Sequence, residues 1–425
     1  MGGKLVVGLD VGSSKICAVA VELNDRGVNI LGVGETPSKG LRKGIVINME
    51  TTVDSIKKAV SEAEVSAGLR IKSVVAGISG VHISGLSSYG AVGVRGREVR
   101  PVDRERAIES AKAIYIPLDR EVLHVLPTEF ILDGQEGIID PMGMAGVRLE
   151  AKVHIINGLA SSVQNLMKCC ERAGLDVAEI VFNPLAAAAA TLSKDEMESG
   201  VVLVDIGGGT ADIVFFKDNA LRYASVLGVG GAHITNDVAV GLRINVNEAE
   251  KLKRSYGAAF EAMGDDKVEV QISQTGGNTK TIPAKYIAEI IQPRCEEMIG
   301  MVRKEILACR AYELATCGVV LTGGAALLNG FDKMMESLLG LPVRLGQPVN
   351  VKGRMAAVRN PAYSTGVGLA AYGHWSSPDR VFQGGFIADA VAGITGRLKG
   401  IFSSKGLIHI NNKKEGGMLC LKSKK

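Results

Sequence analysis

The chain has 425 residues, 46% apolar and 22% charged, the balance of a globular protein built from two to four folding units. Its net charge of +4 is local: residues 403–425 hold six lysines against one glutamate, so the rest carries −1 and offers no basic surface for nucleic acid. Seven cysteines without a framework, six histidines without a zinc motif and no apolar run of roughly 18 residues argue against a disulfide scaffold, a zinc site and a membrane span.

The first predicted element is KLVVGLDVGSSKICAVAVE (Lys4–Glu22), a strand, an acid, a small-residue turn and a second strand. Asp10 interrupts the opening apolar stretch, which is too short for a signal peptide. After SVVAGISG come about 75 residues that form a small α/β module of their own. It reads as strand, helix (Asp103–Ala113), strand (Val122–Leu126), short strand, loop and strand (Leu149–Ile156), with Pro101 and Pro127 near element boundaries. A helix from Ala160 to Ala173 and the small-residue run IVFNPLAAAAATL (Ile180–Leu192) follow.

VVLVDIGGGTADIVFF (Val201–Phe216) then repeats the opening pattern 195 positions after it. Asp205 matches Asp10, Gly207 matches Gly12, and Gly208–Gly209 stand where Ser13–Ser14 stand. A turn with few side chains lets the backbone approach a ligand closely. Two such turns facing each other suit a phosphate chain gripped from both sides. Ser14 and Thr210 would supply hydroxyls, Lys15 a positive charge, and Asp10 and Asp205 a face toward magnesium through its waters. Ordinary hairpins also use glycine turns, but a chance hairpin needs no second copy half a chain away.

NEAEKLKRSYG (Asn247–Gly257) is a helical pattern with Glu248 and Lys251 on neighbouring turns, and IIQPRCEEMIGMVRKEI (Ile290–Ile306) is an amphipathic helix pattern. GVVLTGGAALLNG (Gly318–Gly330) reads as a strand, a glycine turn at Gly323–Gly324 and a helix beginning near Ala325, without a P-loop or GxGxxG spacing. YSTGVGLAAYG (Tyr363–Gly373) is a second small-residue helix. In FIADAVAGITGRLKGIF the residues Phe386, Ile387, Val391, Ile394, Leu398, Ile401 and Phe402 share one helical face beside the lysine tail, the pattern of a helix lying on an anionic membrane.

The two acid-glycine hairpins and the third glycine turn, in this order, resemble the actin-like ATPase superfamily. Within it, GISGVHIS and REVLHVLPTEFILDGQEGIIDPMGMAGVRLEAKVHII resemble the bacterial cell-division FtsA family, over about Lys4 to Gly373. The resemblance implies an α/β, two-lobed, duplicated nucleotide-binding core with a 1C insertion. Residues 1–83, 160–199 and 360–380 would form subdomain 1A, 84–159 subdomain 1C, 200–243 and 301–359 subdomain 2A, and 244–300 subdomain 2B. Residues 381–425 would be linker, amphipathic helix and basic tail. It implies ATP and Mg2+ in the cleft, with Glu248, Lys251, Gly323 and Gly324 near the adenosine. Its partners would be the C-terminal peptide of the tubulin-like FtsZ at Arg294 and Glu297, further copies of the chain through 1C, the membrane surface and later division proteins. The site of action would be the cytoplasmic face of the cell membrane at the division septum. Asn183 stands where chaperone-like relatives have a carboxylate, and an amide takes no proton at neutral pH, so slow or negligible turnover is expected. A true ATPase motor, a type IV pilus assembly protein of the same shape and a DnaK-like chaperone are the alternatives.

Overall fold

The computed structural model describes residues 3–24, 27–274, 279–353 and 358–375. The chain opens with the antiparallel meander β1 (Lys4–Val11), β2 (Lys15–Asn24) and β3 (Gly27–Pro37). A ribbon of β4 (Leu41–Arg42) and β5 (Ile45–Val46) leads to α1 (Met49–Ala67). That helix starts where the Asn48 side chain accepts the Thr51 N–H and stops at Gly68 in the left-handed region, φ 69°. β6 (Ser73–Ile78) then returns parallel to β1.

The inserted module comprises β7 (Ser84–Gly93), α2 (Pro101–Lys112), β8 (Arg120–Leu132), β9 (Gln135–Ile138) and β10 (Arg148–Leu159). Its sheet runs β7-β10-β8-β9. Alternate residues of β10 (Leu149, Ala151, Val153, Ile155) pack with Ala107, Ile108 and Ala111 of α2, as period-two burial requires. Pro127 departs from its expected place at a boundary. It lies within β8 opposite Val153, where a register shift leaves Thr128 without a cross-strand partner and so removes the need for a ladder bond.

Next come α3 (Ala160–Arg172), β11 (Asp176–Phe182), α4 (Asn183–Thr191) and α5 (Lys194–Ser199). The second meander is β12 (Val201–Ile206), β13 (Ala211–Lys217) and β14 (Ala220–Leu227). It is followed by α6 (Gly231–Leu242), α7 (Val246–Tyr256), the hairpin β15 (Glu269–Ser273) and β16 (Thr279–Pro283), α8 (Lys285–Ala308) and α9 (Ala311–Leu314). β17 (Val319–Thr322), α10 (Phe331–Leu339), β18 (Val343–Leu345), β19 (Val351–Gly353) and α11 (Ser364–Trp375) complete the described chain. The helix expected from Ala325 is only a 3-10 turn, Gly324–Leu327. Gly330, in the left-handed region at φ 74°, restarts the chain as the N-cap of α10.

The repeat seen in the hairpins extends to whole sheets. β3-β2-β1-β6-β11 and β14-β13-β12-β17-β18 have the same order and the same strand directions, with β19 added to the outer edge of β3. This duplicated α/β core is the actin-like fold. α4 and α11 cross in contact, and a Cβ at Gly368 would sit 1.9 Å from the Ala186 carbonyl, so only glycine permits the approach.

The insert is not a free appendage. Ile83, Leu123, Leu126 and Ile156 share one buried cluster with Leu9 and Leu185 of the first half and with Leu203, Phe216 and Leu221 of the second. Three buried histidines lie along this seam. Burial pulls His124 and His154 down to about 4, and burial together with the Arg120 cation does the same for His82. Unfolded, each takes a proton below about 6.5, whereas folded it stays neutral until about 4. Their contribution is therefore complete above pH 6.5 and is lost as the pH falls through that window. Relative to a His154→Leu variant, the wild type should lose about 2 kcal/mol between pH 7.5 and 5. Parallel pH profiles of the two proteins in urea unfolding would refute this.

Candidate functional site

The two meanders place their turns against each other at the base of a cleft of about 1550 Å³. In the first turn the Gly12 N–H donates to the Lys15 carbonyl (3.1 Å), and in the second the Gly207 N–H donates to the Thr210 carbonyl (2.9 Å). Both are two-residue loops, and the N–H groups of Ser13, Ser14, Gly208 and Gly209 make no hydrogen bond within the described residues. The loops meet tip to tip: a Cβ at Gly208 would lie 2.4 Å from the Ser14 Cβ. The start of α6 braces the second loop from behind, with Gly231 N–H donating to the Gly207 carbonyl (2.9 Å) and Ala232 N–H to that of Gly208 (2.8 Å). Unpaired donors at two facing turns form a receptor for anionic oxygens.

Beneath the loops lie three carboxylates, Asp205 and Asp212 buried and Asp10 half-buried. Asp10 is raised to about 7 by burial and by Asp205, against the pull of Lys15. Asp205 is raised to about 6 by burial, although the Thr365 hydroxyl donates to its Oδ2 at 2.8 Å. Asp212 is raised to about 8 by burial and then by Asp205, while the Ser79 hydroxyl donates to its Oδ2 at 2.6 Å. Burial is the cause common to all three, Asp205 adds to it for Asp10 and Asp212, and a bound cation would relieve both effects. Among the described residues no three metal-ligating side chains converge to chelate a bare ion, so a divalent cation would sit here through its own waters. The buried Oδ1 atoms of Asp212 and Asn183 have no hydrogen-bond partner, which leaves acceptors for such waters. The residues present thus fit a polyphosphate with a hydrated divalent cation. Asn183 begins α4, and its Nδ2 donates to Asp10 Oδ1 at 3.5 Å.

Of the residues expected from sequence, Asp10, Gly12, Ser13, Ser14, Lys15, Asn183, Asp205, Gly207, Gly208, Gly209, Thr210, Lys251, Gly323 and Gly324 all line this cleft. Glu248 does not. It occupies the first turn of α7, where its side chain accepts from Asn245 and from the Ser273 N–H (3.1 Å). Glu250, Lys253 and Arg254 line the cleft instead. Lys253 Nζ donates to the Gly231 carbonyl (3.1 Å) and to Thr235 Oγ1 (2.8 Å), and pairs with Glu250 (2.6 Å). Asp212 was also missed, although its register partner across the hairpin is Asp205, at equal distance from the turn.

Outside the cleft, the amphipathic pattern of α8 divides between the core and the surface. Ile291, Met298, Val302 and Ile306 are fully buried in the core of the second half, so this face meets no partner. Arg294 forks onto Asp237 of α6, with Nε to Oδ2 2.6 Å and Nη2 to Oδ1 3.2 Å, and also pairs with Glu297. Phe386, Ile387, Val391, Ile394, Leu398, Ile401 and Phe402 lie outside the described residues. Among the described residues, no helix is long and apolar enough to cross a membrane.

Comparison with known proteins gives consistent matches. Residues 202–368 match the family Cell division protein FtsA, residues 80–157 the SHS2 domain inserted in FTSA, and residues 161–220 the Hsp70 protein family. The chain is 43% identical to Cell division protein FtsA of Pseudomonas aeruginosa over 373 residues, 87% of this chain and 89% of that protein. To its counterpart in Escherichia coli K12 it is 38% identical over 380 residues, 87% and 90% of the two chains. Among solved structures, the PilM-PilN type IV pilus biogenesis complex superposes with a TM-score of 0.64 at 18% identity, over 87% of this chain and 98% of that one. Spiroplasma citri MreB5 bound to ADP gives 0.52 at 14%, over 86% and 94%. At such identities the structural likeness shows the fold alone.

Proposed function

The chain belongs to the FtsA family of cell division proteins, and from that premise we propose that it is an ATP-binding switch that ties FtsZ filaments to the cytoplasmic face of the cell membrane at the septum. The observation that carries the nucleotide part is the pair of facing turns, whose four unpaired N–H groups stand over three raised carboxylates. The Ser13–Lys15 and Gly207–Thr210 turns would take the phosphates, Asp10 and Asp205 the waters of Mg2+, and Gly323, Gly324 and Lys251 the adenosine side. The solved relative with bound ADP supports this use of the fold. ATP acts by occupancy with slow turnover, because Asn183 cannot remove a proton from water. The motor alternative requires a base there. Identities of 37% or more to FtsA proteins, against 18% to the pilus complex, favour division over pilus assembly.

For FtsZ, the exposed side of the α6–α8 pair supports docking of a short peptide: Val240 stands exposed on α6, and Arg294, Glu297 and the exposed Met301 recur on one face of α8. Self-association would use the insert, where Tyr115 and Leu118 are exposed. Deleting residues 84–159 is a poor test, because it would strip Leu123, Leu126 and Ile156 from the shared core. The full chain with Mg-ATP, mixed with anionic liposomes and FtsZ filaments, should carry FtsZ to the floating lipid fraction. Filaments that stay in the lower fraction with and without the protein would overturn the tethering role. Val240→Asp, which leaves the Arg294–Asp237 fork intact, should lower FtsZ capture at unchanged ATP affinity.

A further inference from the structure

Lys15 does not point freely at the phosphate turn. Its ammonium lies 3.0 Å from Glu35 Oε2 and 3.7 Å from the centre of the Tyr363 ring, and the Tyr363 hydroxyl donates to the same carboxylate oxygen at 2.9 Å. Three separate elements meet here: Lys15 opens β2, Glu35 lies near the end of β3, and Tyr363 belongs to the 3-10 turn (Pro361–Tyr363) that feeds α11. All three residues line the cleft. The register explains the meeting, since Cys17 faces Glu35 and Lys15 faces Pro37, which places Lys15 and Glu35 as diagonal neighbours. Against partial burial, the bonds from Lys15 and Tyr363 and the field of Arg254 on α7 hold the Glu35 carboxyl below its usual range.

We propose that Glu35 is a built-in counter-ion that competes with the bound nucleotide's phosphates for Lys15, so that phosphate binding is coupled to release of the Lys15–Glu35–Tyr363 cluster. This rests on the nucleotide reading of the cleft. An anion entering at the turns must draw the ammonium away from a partner it already has, and removing that partner leaves the lysine available. The carboxylate also places a negative charge beside the path of a triphosphate, so its removal acts twice in the same direction.

The test is titration of the full-length protein with Mg-ATP and with adenosine, for wild type, Glu35→Gln and Glu35→Ala. The neutral variants should bind ATP about two- to fivefold more tightly, the range that a half-exposed ion pair allows, with adenosine unchanged. Their ATP affinity should also fall more steeply with salt, because one more cation is free to meet phosphate. A Glu35 that only orders the fold would weaken both ligands together, and equal or weaker ATP binding by both variants overturns the proposal. If the wild type binds neither ligand, the nucleotide reading itself fails, and that result is told apart by the first titration alone.

Discussion

Replacing Gly208 by valine should raise the dissociation constant for Mg-ATP at least a hundredfold while leaving the protein folded. The argument is steric. No left-handed backbone angle is demanded at Gly208, so a side chain costs nothing through φ there. It collides instead: its Cβ would lie 2.4 Å from the Ser14 Cβ and 3.3 Å from the Ser14 nitrogen, on the opposite turn. Real atoms do not approach so closely, so the loops must part, and the unpaired N–H groups of both turns move off a shared anion. A hundredfold loss corresponds to about 2.7 kcal/mol, the loss of two charge-assisted hydrogen bonds. Gly93→Ala, where nothing lies within 4 Å of the added atom, is the matched control and should bind like wild type. Unchanged ATP affinity in the valine variant would remove the second turn from the site.

Changing Leu398 and Ile401 together to aspartate should release the protein from anionic liposomes without altering ATP binding. From the sequence, eight residues of Phe386–Phe402 fall within about 160° of a helix face, over a length of about 25 Å, too polar on its far side to span. Gly393, Gly396 and Gly400 would each cost about 1 kcal/mol in a helix, so a helix here would need the bilayer to stabilise it. Burying its large apolar side chains in lipid, about 1.5–3 kcal/mol each, would outweigh that cost, and the lysine tail would add up to about 1 kcal/mol per charge near anionic lipid. Two aspartates on that face would reverse the balance while the tail charge stays the same. Undiminished flotation of the double variant at moderate salt would show that these residues are not the anchor.

The parts of the site that could be read from sequence were those written in a repeated local pattern. Asp10 and Asp205, and the two glycine turns, announce themselves because each hairpin is short and its geometry follows from a few adjacent residues. Glu248 was misplaced for a related reason: helical spacing gives the faces of α7 but not which face turns to the cleft. That choice depends on β15, whose Ser273 N–H donates to the Glu248 carboxylate. The apolar stripe of α8 is legible as a stripe, but burial against a core and burial against a partner demand the same residues. Lys15 shows the limit most plainly. A lysine beside a phosphate turn implies a phosphate ligand, whereas Glu35 and Tyr363 come from 20 and 348 residues further on, and only the fold brings them to it. The insert could be delimited from its own alternation, but its share in the common core was invisible, since Leu123 and Ile156 look like any inward strand residues.

The way the first sheet is closed has a consequence for synthesis. Its outer strand β19 and its packing helix α11 are the last described elements, and they reach back to β3 and β1 near the start of the chain. At roughly 5–20 residues per second, a ribosome needs on the order of 20–70 s between making β1 and making α11. Through that interval Leu9, Val19 and Cys17 have no Leu369, Val367 or Ala370 to cover them, and Asp205 has no Thr365. The first sheet can therefore reach its final packing only after residue 364 and those that follow have been made, however early its own strands pair.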